Sequence, residues 1–173
     1  YFKGYKTNGI DPATGDPIIV DTDKDGKITA ADQTYIGDPH ANLLYGATVN
    51  LEYKNFDFNL FVQGTQGNDV FMGWFRSDRP FSTKPEFMYK DRWTPTHTNA
   101  SMPAANNTSD YIYRSDLMVS NGSYLRLKQI QLGYNIPKNL TQNVGINQAR
   151  LYVSLDDYFT FTKYKGLDPE AGS

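Results

Sequence analysis

The stretch from Tyr45 to Gln63 constrains the fold most. In "YGATVNLEY", Tyr45, Ala47, Val49, Leu51 and Tyr53 alternate without error with Gly46, Thr48, Asn50 and Glu52. After Lys54 and Asn55, "FDFNLFVQG" resumes the pattern, with Phe56, Phe58, Leu60 and Val62 against Asp57, Asn59 and Gln63; Phe61 is the one break. Period two on both sides of a two-residue connection predicts an antiparallel hairpin. A third strand is expected in "SYLRLKQIQLGY", whose apolar residues change phase between Leu125, Leu127 and Ile130, Leu132, Tyr134. Such a slip predicts a bulge or a passage between two environments. A fourth, "ARLYVSL", sets Ala149, Leu151, Val153 and Leu155 against Arg150 and Ser154. Asp156 and Asp157 follow, and as strand neighbours they are expected to face opposite sides.

Between these strands the alternation disappears. The reading divides the chain into an irregular, turn-rich loop at 1–44, a hairpin at 45–63, a long loop at 64–122, a second hairpin at 123–160 and the start of another loop at 161–173. Both hairpin connections are read as short, so the long segments all leave the strands at the same end. Short turns at one end and large loops at the other, with apolar residues on one face, match a wall of a transmembrane β-barrel, whose strands need about 9–11 residues. A soluble antiparallel β-sandwich gives the same alternation with its apolar face turned inward, and stands beside the barrel as the alternative.

Composition narrows the function classes. Lys plus Arg number 17 and Asp plus Glu 19, so no basic field recruits nucleic acid. Cysteine is absent, which removes disulfides, thiolate catalysis and sulfur-bound zinc. His40 and His97 stand alone and no H-E-x-x-H, G-x-S-x-G or P-loop spacing occurs, so no enzyme is expected.

Two segments carry candidate binding chemistry. "DTDKDGKITAAD" places Asp21, Asp23, Asp25 and Asp32 at its first, third, fifth and twelfth positions, with Gly26 at the sixth and the Lys27 carbonyl at the seventh. That is the spacing of a calcium loop, and the expected metal ligands are Asp21, Asp23, Asp25, Lys27 and Asp32, holding a structural calcium. The competing reading is a solvated acidic turn. In the long loop, Trp74, Phe75, Arg76, Arg79, Tyr89, Arg92 and Trp93 are residue types that dominate binding hot spots. Trp74, Arg76, Arg79 and Trp93 are the candidates for contact with substrate or a partner; the competing reading is a loop that packs on its own aromatics.

Over nearly its whole length the chain also resembles a family. "DTDKDGKITAADQTYIGDPHANLLYGATVNLEYKNFDFNLFVQGTQGNDVF", "NGSYLRLKQIQLGYNIP" and "FTFTKYKGLDPE", in that order, are similar to the C-terminal part of the SusC/RagA-type TonB-linked outer-membrane transporters. Two stretches depart from the family pattern: "SLDDYF" before "TFTKY", and "PHANLLYG", which lacks a second proline. The resemblance implies a segment of a plugged barrel of about 22 strands, in the outer membrane of a Gram-negative cell with its loops extracellular. It implies import of oligosaccharides or peptides, energy from TonB through a plug outside this segment, a SusD-like lipoprotein as partner, and lipid around the wall. The alternative function is a soluble, calcium-stabilised cell-surface β-domain that binds glycan.

Overall fold

A computed structural model describes residues 1–73, 85–107, 109–142 and 145–170. In chain order the strands are β1 Phe2–Gly4, β2 Thr7–Ile10, β3 Pro17–Ile19, β4 Thr34–Gly37, β5 Leu43–Tyr53, β6 Phe56–Gln66, β7 Asp69–Phe71, β8 Val119–Asn121, β9 Tyr124–Asn135 and β10 Arg150–Thr162. Among the described residues the short α-helices are α1 Glu86–Lys90, α2 Asp110–Tyr113 and α3 Lys138–Thr141. The chain divides into two units: residues 42–66 with 123–163, and residues 1–41 with 67–122 and 164–173.

The first unit is one antiparallel sheet in the order β10-β9-β6-β5. Its strands are 11, 11, 12 and 13 residues long. Register explains the alternation. Directly opposed residues share a face, so rows run across all four strands: Tyr53, Phe56, Tyr134 and Leu151; then Leu51, Phe58, Leu132 and Val153; then Val49, Leu60, Ile130 and Leu155; then Ala47, Val62, Leu127 and Phe159; then Tyr45, Gly64, Leu125 and Phe161. Every row but the glycine position is apolar. The other face carries Glu52, Asp57 and Tyr152, then Asn50, Asn59, Gln131 and Ser154, then Thr48, Gln129 and Asp156 with Phe61 among them, then Gln63, Arg126 and Thr160.

The phase slip in β9 is a bulge. Gln129 opposes Phe61 and Leu127 opposes Val62, so Lys128 is the extra residue; β10 skips Asp157 and Tyr158 at the same level. Inserting one residue returns Leu125 and Leu127 to the face of Ile130, Leu132 and Tyr134, so the strand stays in one environment. Asp157 sits in the left-handed region at φ 50°. β10 runs on through Asp156 and Asp157, but its pairing register shifts after Asp156. Lys54, in the β5–β6 turn, also has positive φ, 55°. The β9–β10 connection is not tight as expected; it runs over 136–149, carries α3, and is closed where the Ile136 amide donates to the Ala149 carbonyl at 2.9 Å.

The second unit replaces two segments read as loops. Residues 1–44 are not irregular but contain two small ladders, β1 with β4 and β2 with β3. The stretch 64–122 begins with the last residues of β6, then pairs β7 with β8 and carries α1 and α2. Its core is small: Met72, Ile112 and Met118 are buried, with Phe71, Phe87, Met88, Tyr113, Leu117 and Tyr164 packed on them. Long-range pairing of three- and four-residue strands leaves no period for a sequence window to detect, which is why these elements were missed.

Candidate functional site

The aspartate loop is built by its own side chains. Asp21 Oδ1 accepts from the Lys24 amide at 2.7 Å and Oδ2 from the Gly26 amide at 2.9 Å. Asp23 Oδ1 accepts from the Asp25 amide at 3.2 Å, and Asp25 Oδ1 from the Lys27 amide at 2.7 Å. Each aspartate thus fixes the residue two to five positions ahead, the way short acidic side chains shape turns. Lys24 and Gly26 take φ 62° and 81°, and glycine is the residue that does so without steric cost. The outcome is convergence: carboxylate oxygens of Asp21, Asp23 and Asp25 lie within 4.8 Å of one another.

Asp32 has a separate task. It is fully buried, at 0 % exposure. Its Oδ1 accepts from the amides of Thr22 at 2.7 Å and Asp23 at 3.4 Å, and its Oδ2 from Thr29 at 2.8 Å. With Thr29 it forms a reciprocal capping box at the start of the 3-10 turn Ala30–Asp32. The twelfth position therefore ties both ends of the loop together through backbone groups, and a carboxylate has lone pairs for about four such contacts. The Thr29 amide is the main reason its pKa lies below the ordinary aspartate value, aided by Thr22 and Asp23 against the opposing loss of water. Asp23 shifts the other way. The Asp25 amide pulls it down, but loss of water, the charges of Asp25 and Asp32 and the hydrogen bond with Asp21 outweigh that pull and leave it raised.

Of the aromatic and basic set, Trp74, Phe75, Arg76 and Arg79 lie outside the described residues. Trp93 is engaged within its own unit. Its indole Nε1 donates to the Pro12 carbonyl at 3.0 Å, and its ring covers Gly15, where a Cβ would sit about 2.7 Å from two ring carbons. Gly15 also has φ 78°. The "TNGIDPATGDP" turn is thus packed against Trp93, which stays half-buried. Tyr89 and Arg92 form a stacked pair, with the guanidinium carbon 3.7 Å from the ring centroid.

The sheet contributes a second surface. Its apolar face is open among the described residues: Leu51 is 58 % and Val153 70 % exposed, and Leu132, Leu151, Phe159 and Phe161 are exposed as well. Aromatic residues bracket the face. Tyr53, Phe56 and Tyr134 form one end row, with Phe56 and Tyr134 rings 4.8 Å apart, and Tyr45 and Phe161 form the other. Tyr45 crosses Gly64 to donate its hydroxyl to the Tyr124 carbonyl at 3.0 Å. Aliphatic rows between aromatic ends are the pattern of a wall that meets lipid, with girdles at the two interfaces.

No family model matches the chain. It is 35 % identical over 174 aligned positions to TonB-dependent receptor P3 of Formosa agariphila, covering 98 % of this chain and 17 % of that protein. It is 32 % identical over 164 positions to TonB-dependent receptor SusC of Bacteroides thetaiotaomicron, covering 92 % of this chain and 16 % of that one. Among solved structures, the RagAB peptide importer in its open-open state matches with a TM-score of 0.74 at 26 % identity, over 99 % of this chain and 20 % of the solved one. The chain thus spans only a small share of the length of these relatives. With the open apolar face, the bracketing aromatics and these likenesses together, the chain belongs to the SusC/RagA-type TonB-dependent receptors, and its four-stranded sheet is part of their β-barrel.

Proposed function

We propose that this chain is a wall-and-loop segment of an outer-membrane importer of peptides or oligosaccharides, driven by TonB and capped by a SusD-like lipoprotein. The observation that carries it is the sheet's two-faced register. Five rows span about 27 Å along the strands at about 3.4 Å per residue, or about 20 Å across a bilayer at a tilt of about 40°. The apolar face meets lipid and the polar face meets the barrel interior. A soluble glycan-binding domain would turn the apolar face inward, whereas Leu51, Leu151, Val153 and Phe161 on it are exposed. The segments 1–41 and 67–122 are then extracellular, on the side where cargo and the lipoprotein arrive. Peptide as cargo draws on the RagAB importer, and the relatives, being receptors, favour transport over catalysis.

Within this reading the aspartate loop holds a structural calcium. Asp21, Asp23 and Asp25 supply the converging oxygens, with Lys27 and Asp32 as the further candidates that the spacing names. Single cysteines at Val49, Leu51, Phe58 and Val153 of the full-length receptor test the wall. Reaction with a lipid-phase maleimide and protection from an aqueous one is the expected result; protection from both makes the face an interior core and ends the barrel reading.

A further inference from the structure

The unit built from residues 1–41, 67–122 and 164–173 contains a cavity of about 90 Å³. Its floor is apolar, formed by Met88 of α1, Met102 and Ile112 of α2, the last two buried. Arg92 and Tyr89 stand at the same cavity as the stacked pair described above. Among the described residues, no carboxylate lines it. Of the carboxylates nearby, Glu86 lies 2.7 Å from Lys90 Nζ and Asp91 3.6 Å from Lys165 Nζ, while Asp110 acts on Tyr113 of the cavity wall. The Arg92 guanidinium makes no hydrogen bond or ion pair among the described residues.

A guanidinium stacked on a tyrosine keeps its planar fork of donors, which matches a carboxylate in geometry and charge. An apolar hollow beside it matches an aliphatic group held a few bonds from that carboxylate. A peptide's last residue has both on one Cα. We propose that the cavity receives the C-terminal residue of a short peptide, with its aliphatic side chain on Met88, Met102 and Ile112 and its α-carboxylate on Arg92. Size agrees: a water needs about 10–15 Å³, so about 90 Å³ admits one side chain of several heavy atoms. A neutral oligosaccharide has neither the charge nor the aliphatic branch. The inference rests on the importer reading, and within it selects peptide over glycan.

The test uses the full-length receptor in detergent and titration calorimetry with four probes: Ala-Gly-Ala-Leu as free acid, its C-terminal amide, Ala-Gly-Ala-Ser as free acid, and octanoate. The leucyl acid is expected to bind at least about tenfold tighter than the amide, the size of one charge-assisted hydrogen bond, and tighter than the seryl peptide. Arg92→Gln should abolish the preference for acid over amide while the barrel's heat-modifiable gel migration stays normal; Arg92→Lys should retain part of it. Equal binding of acid and amide, absence of binding, or a preference that survives Arg92→Gln overturns the proposal. Octanoate binding as tightly as the peptide overturns the peptide assignment in favour of a free-acid lipid. Uptake of labelled peptides and oligosaccharides by cells carrying the receptor is measured alongside: uptake without acid preference removes only this site, whereas no uptake of either cargo removes the importer reading itself.

Discussion

Arg150 of β10 and Asp57 of β6 are joined across the strand between them, with Arg150 Nε donating to Asp57 Oδ1 at 3.0 Å directly over Gly133 of β9. A Cβ at Gly133 would run into both the guanidinium and the carboxylate. The pair also relieves Asp57, which opposes Glu52 on the polar face. Gly133→Ala is expected to destabilise the barrel by about 1–3 kcal/mol, as overpacking does. Combined with Asp57→Ala the effect should be less than additive, because the obstructing carboxylate is gone. Heat-modifiable migration of the full-length receptor against temperature reads both; strict additivity would mean that the bridge and the glycine are unrelated.

At the bulge, Lys128 Nζ lies 3.1 Å from Asp157 Oδ1, and Asp157 is left-handed at φ 50°. Backbone should matter more than charge here. Asp157→Asn and Asp157→Gly are expected to be tolerated, because both residue types adopt this conformation. Asp157→Val should cost about 1–2 kcal/mol for a β-branched residue forced into it. Comparable thermal midpoints for Val and Asn would remove the backbone argument.

The two faces predict opposite tolerance to charge. Leu155→Arg puts a cation in the central apolar row and should cost about 2–4 kcal/mol of barrel stability, whereas Ser154→Arg on the polar face should cost little. Outer-membrane yield of the two variants and urea unfolding in detergent measure the difference, and equal losses would contradict the assignment of faces.

The aspartate loop yields a pair of opposite signs. Asp32 has its pKa held below the ordinary value in the folded loop, so its contribution is present above that value and is lost as pH falls through the lower, folded one. Asp23 is raised, so its contribution is present below the ordinary value and is lost as pH rises through the folded one; at neutral pH its charge is a cost. In chelator, Asp32→Asn should open the loop to protease, and Asp23→Asn should leave it intact or firmer. With millimolar calcium the order changes only if the loop binds it: parent protein gains protection and Asp23→Asn, together with Asp25→Asn, does not. Equal protection with and without calcium in the parent would leave a capped acidic turn.

For the barrel wall, almost everything was legible in the residues. Strict alternation from Tyr45 to Phe58 needs no tertiary information, because side chains on an extended backbone must point to opposite faces. The slip between Leu127 and Ile130 left a bulge or a passage between two environments; pairing made it a bulge, and "SLDDYF", the stretch that departed from the family pattern, holds its other half. Only the register between strands decided that Leu125 and Leu127 rejoin the face of Ile130, since one inserted residue is a local fact whose consequence depends on what lies opposite. The same limit applies to Asp57, Gly133 and Arg150, distant in sequence and brought together by pairing. In the aspartate loop the convergence of Asp21, Asp23 and Asp25 followed from spacing, whereas the hydrogen bonds of Asp32 to the Thr22 and Thr29 amides did not, because they depend on where those amides are placed. Trp93 shows the furthest reach of that rule: its residue type alone says nothing of Pro12 and Gly15, and only the fold sets its half-buried ring against them, where an aromatic face supports a turn that has little core of its own.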